Sequence, residues 1–195
     1  MPDIETLEEH TPFEGPRFAV RRGRYRHEAT GHETERDFVA VRDVAAILAY
    51  DDEQVHLVRQ PREAIGRSDV LELPAGPIDE DDASPLAAAQ RELREELGLQ
   101  ATTWSQATSY FSSSGFTDEL VHVFIATGLT PAPDADPAVA AEEHITAATW
   151  PLDELDGLID LELDAKTLIA LLWLRRARLL GGSAGSGPPT GSDGE

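Results

Sequence analysis

The sequence contains no cysteine, and this absence excludes disulfide bonds and thiolate metal sites. It also lacks any run of about 18 apolar residues, so no membrane-spanning helix is predicted. The first residues do not have the basic and apolar composition of a signal peptide, and these features together favour a cytoplasmic location. Lysine is nearly absent: the chain has fifteen arginines and a single lysine, Lys166.

The charge of the chain is strongly negative, with a formal value of −21 at pH 7 from 37 acidic and 16 basic residues. Nucleic acid requires a basic surface to neutralise its phosphates, so this balance argues against nucleic acid as a partner. The charge is uneven, since residues 17–67 hold ten of the basic residues and only nine of the acidic ones. We therefore expect an anionic substrate to be attracted towards this segment.

One helix is predicted with both of its ends defined by local signals. Ser84 is a favourable N-cap, Pro85 suits the first helical position, and Gly98 suits a left-handed C-terminal cap. Four apolar residues at helical spacing are predicted to pack inward: Leu86, Ala89, Leu93 and Leu97.

The same helix is predicted to have an acidic face. Glu92, Glu95 and Glu96 are spaced i, i+3 and i+4, so their side chains share one face. A hard divalent cation would compensate their mutual repulsion, and Mg²⁺ prefers oxygen ligands of this kind. Arg91 precedes Glu95 by four residues and is expected to hold its carboxylate in place. A solvated acidic face is the alternative interpretation.

The residues around this face resemble the signature sequence of the Nudix hydrolases. The run Arg91-Glu-Leu-Arg-Glu-Glu-Leu-Gly-Leu99 agrees with the second half of that signature at every position. The first half departs from it, because the spacing from Gly76 to Arg91 is one residue longer and Ala83 occupies the position of the first glutamate. The adjacent Asp81 and Asp82 are candidates to replace that carboxylate with a shorter reach.

Two further motifs resemble one branch of this family, the ADP-ribose pyrophosphatases and related nucleoside-diphosphate-sugar hydrolases. These are Val58-Arg-Gln-Pro-Arg62 with Leu71-Glu-Leu-Pro-Ala-Gly76, and Ser114-Gly-Phe-Thr-Asp-Glu119, where the branch normally has Pro at the Ser114 position. The resemblance implies Mg²⁺-dependent hydrolysis of ADP-ribose to AMP and ribose 5-phosphate, or hydrolysis of a related nucleotide sugar. The alternative is a domain that senses ADP-ribose with little or no catalysis, for which Ala83 is the best support.

The resemblance also implies a metal site. Two or three Mg²⁺ ions, or Mn²⁺ ions, are expected in each active site. The expected ligands are the carbonyl group of Ala75 and the side chains of Glu92 and Glu96, with Glu95 nearby as a further ligand or catalytic group.

Other roles follow from the same resemblance. The general base is expected in the acidic loop that ends near residue 143, at Glu142 or Glu143, with Glu142 preferred. Arg62, Arg36 and Glu119 are expected to contact a small nucleotide-sugar substrate.

Four segments are predicted along the chain: a loose N-terminal arm over residues 1–12, N-terminal strands over 13–43, the Nudix hydrolase domain over 44–180, and a disordered tail over 181–195. Strands grouped around one helix, with another helix near the end, favour an α+β fold. The resemblance implies an α/β/α sandwich with a mixed sheet, in which the antiparallel N-terminal strands contribute to a homodimer.

Overall fold

The structure, a computed structural model, describes residues 4–142 and 144–181. Glu143 and most of the predicted tail, residues 182–195, lie outside the described residues. The chain divides into two units, Met1–Asp43 with Tyr110–Leu120, and Val44–Ser109 with Val121–Glu195. None of the helices in the described ranges combines the length and the apolar character needed to cross a membrane.

The first unit contains an antiparallel sheet of three strands in the order β1-β2-β3. The strands are β1 (Ile4–Glu14), β2 (Ala19–His27) and β3 (His32–Ala40). Arginines of the central strand pair with acidic side chains on both neighbours. Arg26 donates to Glu5 of β1 and to Glu33 of β3, in both cases at 2.8 Å. These pairs are exposed, so each adds little to stability.

The prediction of a loose arm over residues 1–12 is wrong from Ile4 onward, because that segment forms β1. Its glutamates suggested an unpaired acidic segment when considered alone. In the structure they lie opposite basic and polar side chains of β2, and Glu9, for example, accepts a hydrogen bond of 3.0 Å from the Tyr25 hydroxyl. The partners that order this strand are therefore supplied by a later part of the chain.

The second unit is built on a mixed sheet with the strand order β10-β5-β4-β9-β8, to which β6 adds beside β5 and β7 beside β4. Its central strand, β4, pairs in parallel with β9 and antiparallel with β5. The strands are β4 (Val44–Tyr50), β5 (Gln54–Arg62), β6 (Arg67–Glu72), β7 (Ala75–Pro77), β8 (Leu99–Phe111), β9 (Leu120–Pro131) and β10 (Thr146–Pro151).

Helices cover both faces of this sheet, as the predicted α/β/α arrangement requires. They are α1 (Pro85–Leu97), α2 (Pro137–Glu142), α3 (Leu155–Ile159) and α4 (Ala165–Leu179). The core between the sheet and α1 contains Ala45, Ile47, Ala49, Ala88, Ala89, Leu93, Phe124 and Ala126. Side chains alternate along a strand, so the buried Ala46 and Leu48 face the other side, where α4 contacts β4.

The bounds predicted for α1 are confirmed at both ends. The Ser84 hydroxyl accepts the Ala87 N–H at 3.2 Å, and Gly98 has the left-handed conformation, with φ of 65°. The helix therefore begins and ends where its cap residues require. The acidic loop before residue 143 differs from the expectation, because it contains the short helix α2.

Candidate active site

Two of the predicted metal ligands are buried on α1. Glu92 and Glu96 are 7% and 8% exposed, which is unusual for carboxylates. The Ala75 N–H donates to Glu96 Oε2 at 3.0 Å, so the turn before α1 and the helix are joined at this point. A Cβ atom at Gly76 would overlap with the Glu92 carboxylate, and glycine is thus required for their close approach.

The turn itself is fixed on the central strand of the sheet. In the antiparallel pairing of β7 with β4, Ala75 lies opposite Ala46 and Gly76 opposite Ala45. The carbonyl of the preceding Pro74 accepts the Ile47 N–H at 2.9 Å. The buried strand β4 therefore holds the Ala75 backbone beside the acidic face of α1.

Arg91 joins the acidic groups of this face. Its Nη1 donates to Glu92 Oε1 at 2.6 Å and to Glu95 Oε2 at 3.0 Å, which confirms the predicted pairing with Glu95. Its Nη2 donates to the Pro77 carbonyl at 3.0 Å and to Asp82 Oδ2 at 2.9 Å. One guanidinium thus links the turn, the loop and the helix.

Asp82, one of the two aspartates beside Ala83, contacts Arg91. The hydrogen bond from Arg91 lowers the pKa of Asp82, and the side chain of Asp82 is only 9% exposed. The bond to Asp82 likewise raises the pKa of Arg91. The loop 79–82 closes on itself to make this contact, because the Asp79 N–H donates to Asp82 Oδ2 at 2.9 Å.

The donors at this face suit a hard divalent cation. Glu92, Glu96 and the main chain of Ala75 offer oxygen atoms, which Mg²⁺ and Mn²⁺ prefer over nitrogen or sulfur. No group of three or more His, Asp or Glu side chains in the described ranges is arranged to hold an ion. Mg²⁺ usually takes one or two carboxylates and completes its shell with water and substrate phosphates, and the two carboxylates with the Ala75 main chain fit that donor set.

Arg62, the predicted substrate contact, lies in the same unit. Its Nε and Nη2 donate to the two carboxylate oxygens of Glu72 at 2.6 and 2.7 Å. The hydrogen bond that Arg62 donates to Glu72 is the main reason that the pKa of Arg62 is raised, and the charges of Asp164 and Glu96 contribute. Arg62 is therefore within electrostatic reach of the acidic face.

Two residues of this region had no role in the sequence-based interpretation. Glu72 is 2% exposed, and Lys166 of α4 forms ion pairs with Glu72 and, at 3.1 Å, with Asp164. Together with Arg62 they line a cavity of about 390 Å³. The sequence signals for these two residues were the position of Glu72 in the motif Leu71-Glu-Leu-Pro-Ala-Gly76 and the rarity of lysine.

The remaining predicted residues are placed as follows. Glu142 is exposed at the end of α2, which contacts α1 within the second unit. Glu143 lies outside the described residues. Arg36 and Glu119 belong to the first unit, where Arg36 lines a cavity of about 610 Å³ with Tyr25 and Asp118.

A model of the NUDIX domain matches residues 40–172. The chain belongs to the NUDIX family. It is 42% identical over 128 residues to the ADP-ribose pyrophosphatase of Mycobacterium tuberculosis, a match that spans 65% of this chain and 61% of that protein. It is 31% identical over 148 residues to the ADP-ribose pyrophosphatase of Bacillus subtilis, spanning 74% of this chain and 78% of that protein.

A solved structure supports the NUDIX fold. The crystal structure of an ADP compounds hydrolase superposes with a TM-score of 0.76 at 20% identity, covering 92% of this chain and 97% of that one. The family predicted from the signature and the α+β architecture predicted from the order of strands and helices are thus confirmed. Asp82, which contacts Arg91, is the neighbour of Ala83, the position that departs from the signature.

Proposed function

We propose that this NUDIX protein hydrolyses the diphosphate bond of ADP-ribose to give AMP and ribose 5-phosphate, or that of a related nucleoside-diphosphate sugar. The observation that carries the proposal is the placement of two buried carboxylates, Glu92 and Glu96, against the Ala75–Gly76 turn, with Arg62 in electrostatic reach. The name ADP-ribose pyrophosphatase borne by two relatives supports the same reaction.

The proposed cofactor is Mg²⁺ or Mn²⁺, with two or three ions in each site. Glu92, Glu96 and the Ala75 carbonyl would hold it, with Glu95 adjacent. When bound, such an ion neutralises charge on the diphosphate oxygens and lowers the pKa of a water molecule. Arg91 orients two of these carboxylates, since it donates to both Glu92 and Glu95.

The reaction also requires a carboxylate that accepts a proton from the attacking water. We assign this role to Glu142 or Glu143, with Glu142 preferred, because α2 carries Glu142 beside α1. The water oxygen forms a bond to one phosphorus while the bond from that phosphorus to the bridging oxygen breaks. The proton passes to the glutamate, and the bridging oxygen leaves on the other phosphate product.

The substrate contacts in this proposal are the three arginine and glutamate residues that the resemblance implied. Arg62 would donate to the diphosphate, for which a guanidinium is well suited. Arg36 and Glu119 are proposed as further contacts, and the N-terminal strands are proposed to contribute to a homodimer. A cytoplasmic location stays a prediction from composition.

The test is a panel of nucleoside-diphosphate compounds incubated with the full chain and MgCl₂. We expect AMP and ribose 5-phosphate from ADP-ribose at the highest kcat/KM of the panel, and no product in EDTA. Parallel reactions with MnCl₂ and CaCl₂ would show which ion supports turnover. Absence of hydrolysis across the panel, with calorimetric binding of ADP-ribose, would instead support the sensing function.

The sensing alternative is weakened by the contacts of Asp82. The best support for a sensing function is the loss of the first signature glutamate at Ala83. Because Asp82 contacts Arg91 at 2.9 Å, a carboxylate is present beside Arg91 despite that loss. The geometry therefore favours hydrolysis.

Gly76→Ala is expected to lower kcat for ADP-ribose by about 10–100-fold, the range found when groups that orient metal ligands are changed. The new methyl group would displace the Glu92 carboxylate. This carboxylate is the end of a flexible side chain, so we expect the midpoint of thermal unfolding to change little. The measurement is initial rates together with thermal unfolding.

The matched control for that substitution is Gly157→Ala in α3. A Cβ atom there meets no other group within 4 Å, and the backbone is not left-handed. Wild-type kcat is expected for the control. Wild-type kcat in Gly76→Ala would show that the position of Glu92 does not limit the reaction.

A further inference from the structure

We propose that Glu72 and Lys166 are positioning residues that hold Arg62 in a single orientation, so that Arg62 contacts the substrate diphosphate through Nη1. This inference rests on the proposed function and deepens it. It assigns a role to a buried ion-pair cluster that includes the only lysine of the chain.

The orientation follows from the geometry of the guanidinium group. Its Nε and Nη2 form a two-pronged contact with the two oxygens of Glu72, at 2.6 and 2.7 Å. Such a contact fixes the guanidinium plane as well as its position. Nη1 is the nitrogen that this contact does not use, and the side chain of Arg62 is 38% exposed. Arg62 is therefore both fixed and accessible.

Glu72 has the properties of a fixed support. Burial alone would raise its pKa, but the hydrogen bond from Arg62 and the charge of Lys166 outweigh that effect and lower it. The carboxylate is thus ionised at neutral pH although it is almost inaccessible to water. Its position on β6, directly before the turn that leads to Ala75, joins it to the acidic face.

Lys166 is itself held from the opposite side. Asp164, the N-cap of α4, accepts the Thr167 N–H at 3.1 Å and forms an ion pair with Lys166. The Thr167 hydroxyl accepts the Leu73 N–H at 2.9 Å, which fastens the start of α4 to the segment after β6. Lys166 therefore supports Glu72 from a fixed helix end.

An electrostatic role and a positioning role for Glu72 predict opposite effects of its removal on the affinity for the diphosphate. A carboxylate beside the binding site repels an anionic diphosphate, so a purely electrostatic role implies that Glu72→Gln tightens binding. A positioning role implies that the same substitution weakens binding, because Arg62 loses the contact that fixes its plane. The direction of the change in affinity thus distinguishes the two.

The experiment measures the affinity of the full chain for ADP-ribose by calorimetry in EDTA. This binding measurement does not depend on hydrolysis. We expect Glu72→Gln to raise Kd by about tenfold, as for loss of an oriented charged contact. In kinetic assays, KM should rise similarly while kcat changes by less than about threefold. Arg62→Ala should raise Kd by the same factor. The double variant Glu72→Gln/Arg62→Ala should raise Kd no further than either single variant, because the effects of coupled residues do not add.

The matched control is Asp69→Asn. Asp69 pairs with Arg59 at 2.8 Å across the same two strands, but this pair is exposed. Wild-type affinity is expected. Circular dichroism checks the fold of every variant. Should Glu72→Gln fail to fold, Lys166→Met is expected to raise Kd by at least about threefold, and Lys166→Arg to restore the affinity.

The outcomes separate this inference from the proposed function. An unchanged or lower Kd in the folded Glu72→Gln variant, with a raised Kd in Arg62→Ala, overturns the positioning role. So does an unchanged Kd in Lys166→Met when it is the variant that folds. Absence of turnover in the wild type, with the expected changes in Kd, overturns the hydrolase and supports the positioning of Arg62.

Discussion

Glu96→Gln is expected to reduce kcat for ADP-ribose hydrolysis by about 10³-fold, comparable with the loss of a group that stabilises transition-state charge. The Glu96 carboxylate is 8% exposed and is one of two buried carboxylates at the Ala75–Gly76 turn. Glutamine has the same shape but no charge, and a neutral amide oxygen is a poor ligand for a cation that two carboxylates would otherwise share.

The fold should survive this substitution. The amide oxygen of glutamine can still accept the Ala75 N–H, which now bonds to Glu96 Oε2. We therefore expect the loss of kcat to accompany an unchanged midpoint of thermal unfolding. The measurements are steady-state rates over a MgCl₂ titration and thermal unfolding without metal.

The control for Glu96→Gln removes the same charge elsewhere. Glu53 lies in the exposed turn between β4 and β5. The Glu53→Gln variant should therefore retain wild-type kcat. Turnover close to that of the wild type in Glu96→Gln would refute the metal-binding role of this face. A large fall in the unfolding midpoint would instead show that the Ala75 contact depends on the charge.

Sequence alone was sufficient for α1 because its determinants are local. The caps Ser84 and Gly98 and the face that carries Glu92 and Glu96 lie within one short segment, and each is fixed by helical periodicity. The acidic face of α1 was therefore predictable for the same reason. Its relation to Ala75 followed only from the family resemblance, since β7 is held by pairing with β4.

The features that sequence did not predict depend on distant partners. The strand β1 is held by antiparallel pairing with β2, and the contact of Lys166 with Glu72 joins residues 94 positions apart. Which of the two aspartates beside Ala83 contacts Arg91 depended on how the loop 79–82 turns, and the spacing alone left that open. No local pattern contains this information.

Arg91→Met is expected to destabilise the fold by about 2–4 kcal/mol. This is about 1 kcal/mol less than the loss of one partner from a fully buried ion pair costs, because a quarter of the Arg91 side chain is exposed. The guanidinium donates to the carboxylates of Asp82 and Glu92, each 9% exposed, and the variant loses both contacts. The measurement is urea-induced unfolding in EDTA.

The same variant should reverse the dependence of stability on pH. In the wild type the hydrogen bond from Arg91 lowers the pKa of Asp82, so its stabilising effect is complete above the unfolded pKa of about 3.9 and is lost as the pH falls through the folded value. In Arg91→Met the neighbouring carboxylates raise that pKa instead. The free energy of unfolding should then increase as the pH falls from 7 to 5, whereas that of the wild type should not.

Arg94→Met provides the comparison on the same helix. Arg94 is 38% exposed and lies 3.6 Å from Asp134, so its loss should cost less than about 1 kcal/mol and leave the pH dependence unchanged. Equal losses of stability in the two variants would show that Arg91 has no special role among the carboxylates. Parallel pH profiles for Arg91→Met and the wild type would show that the pKa of Asp82 does not depend on Arg91. The contact between these two residues would then have no effect on stability.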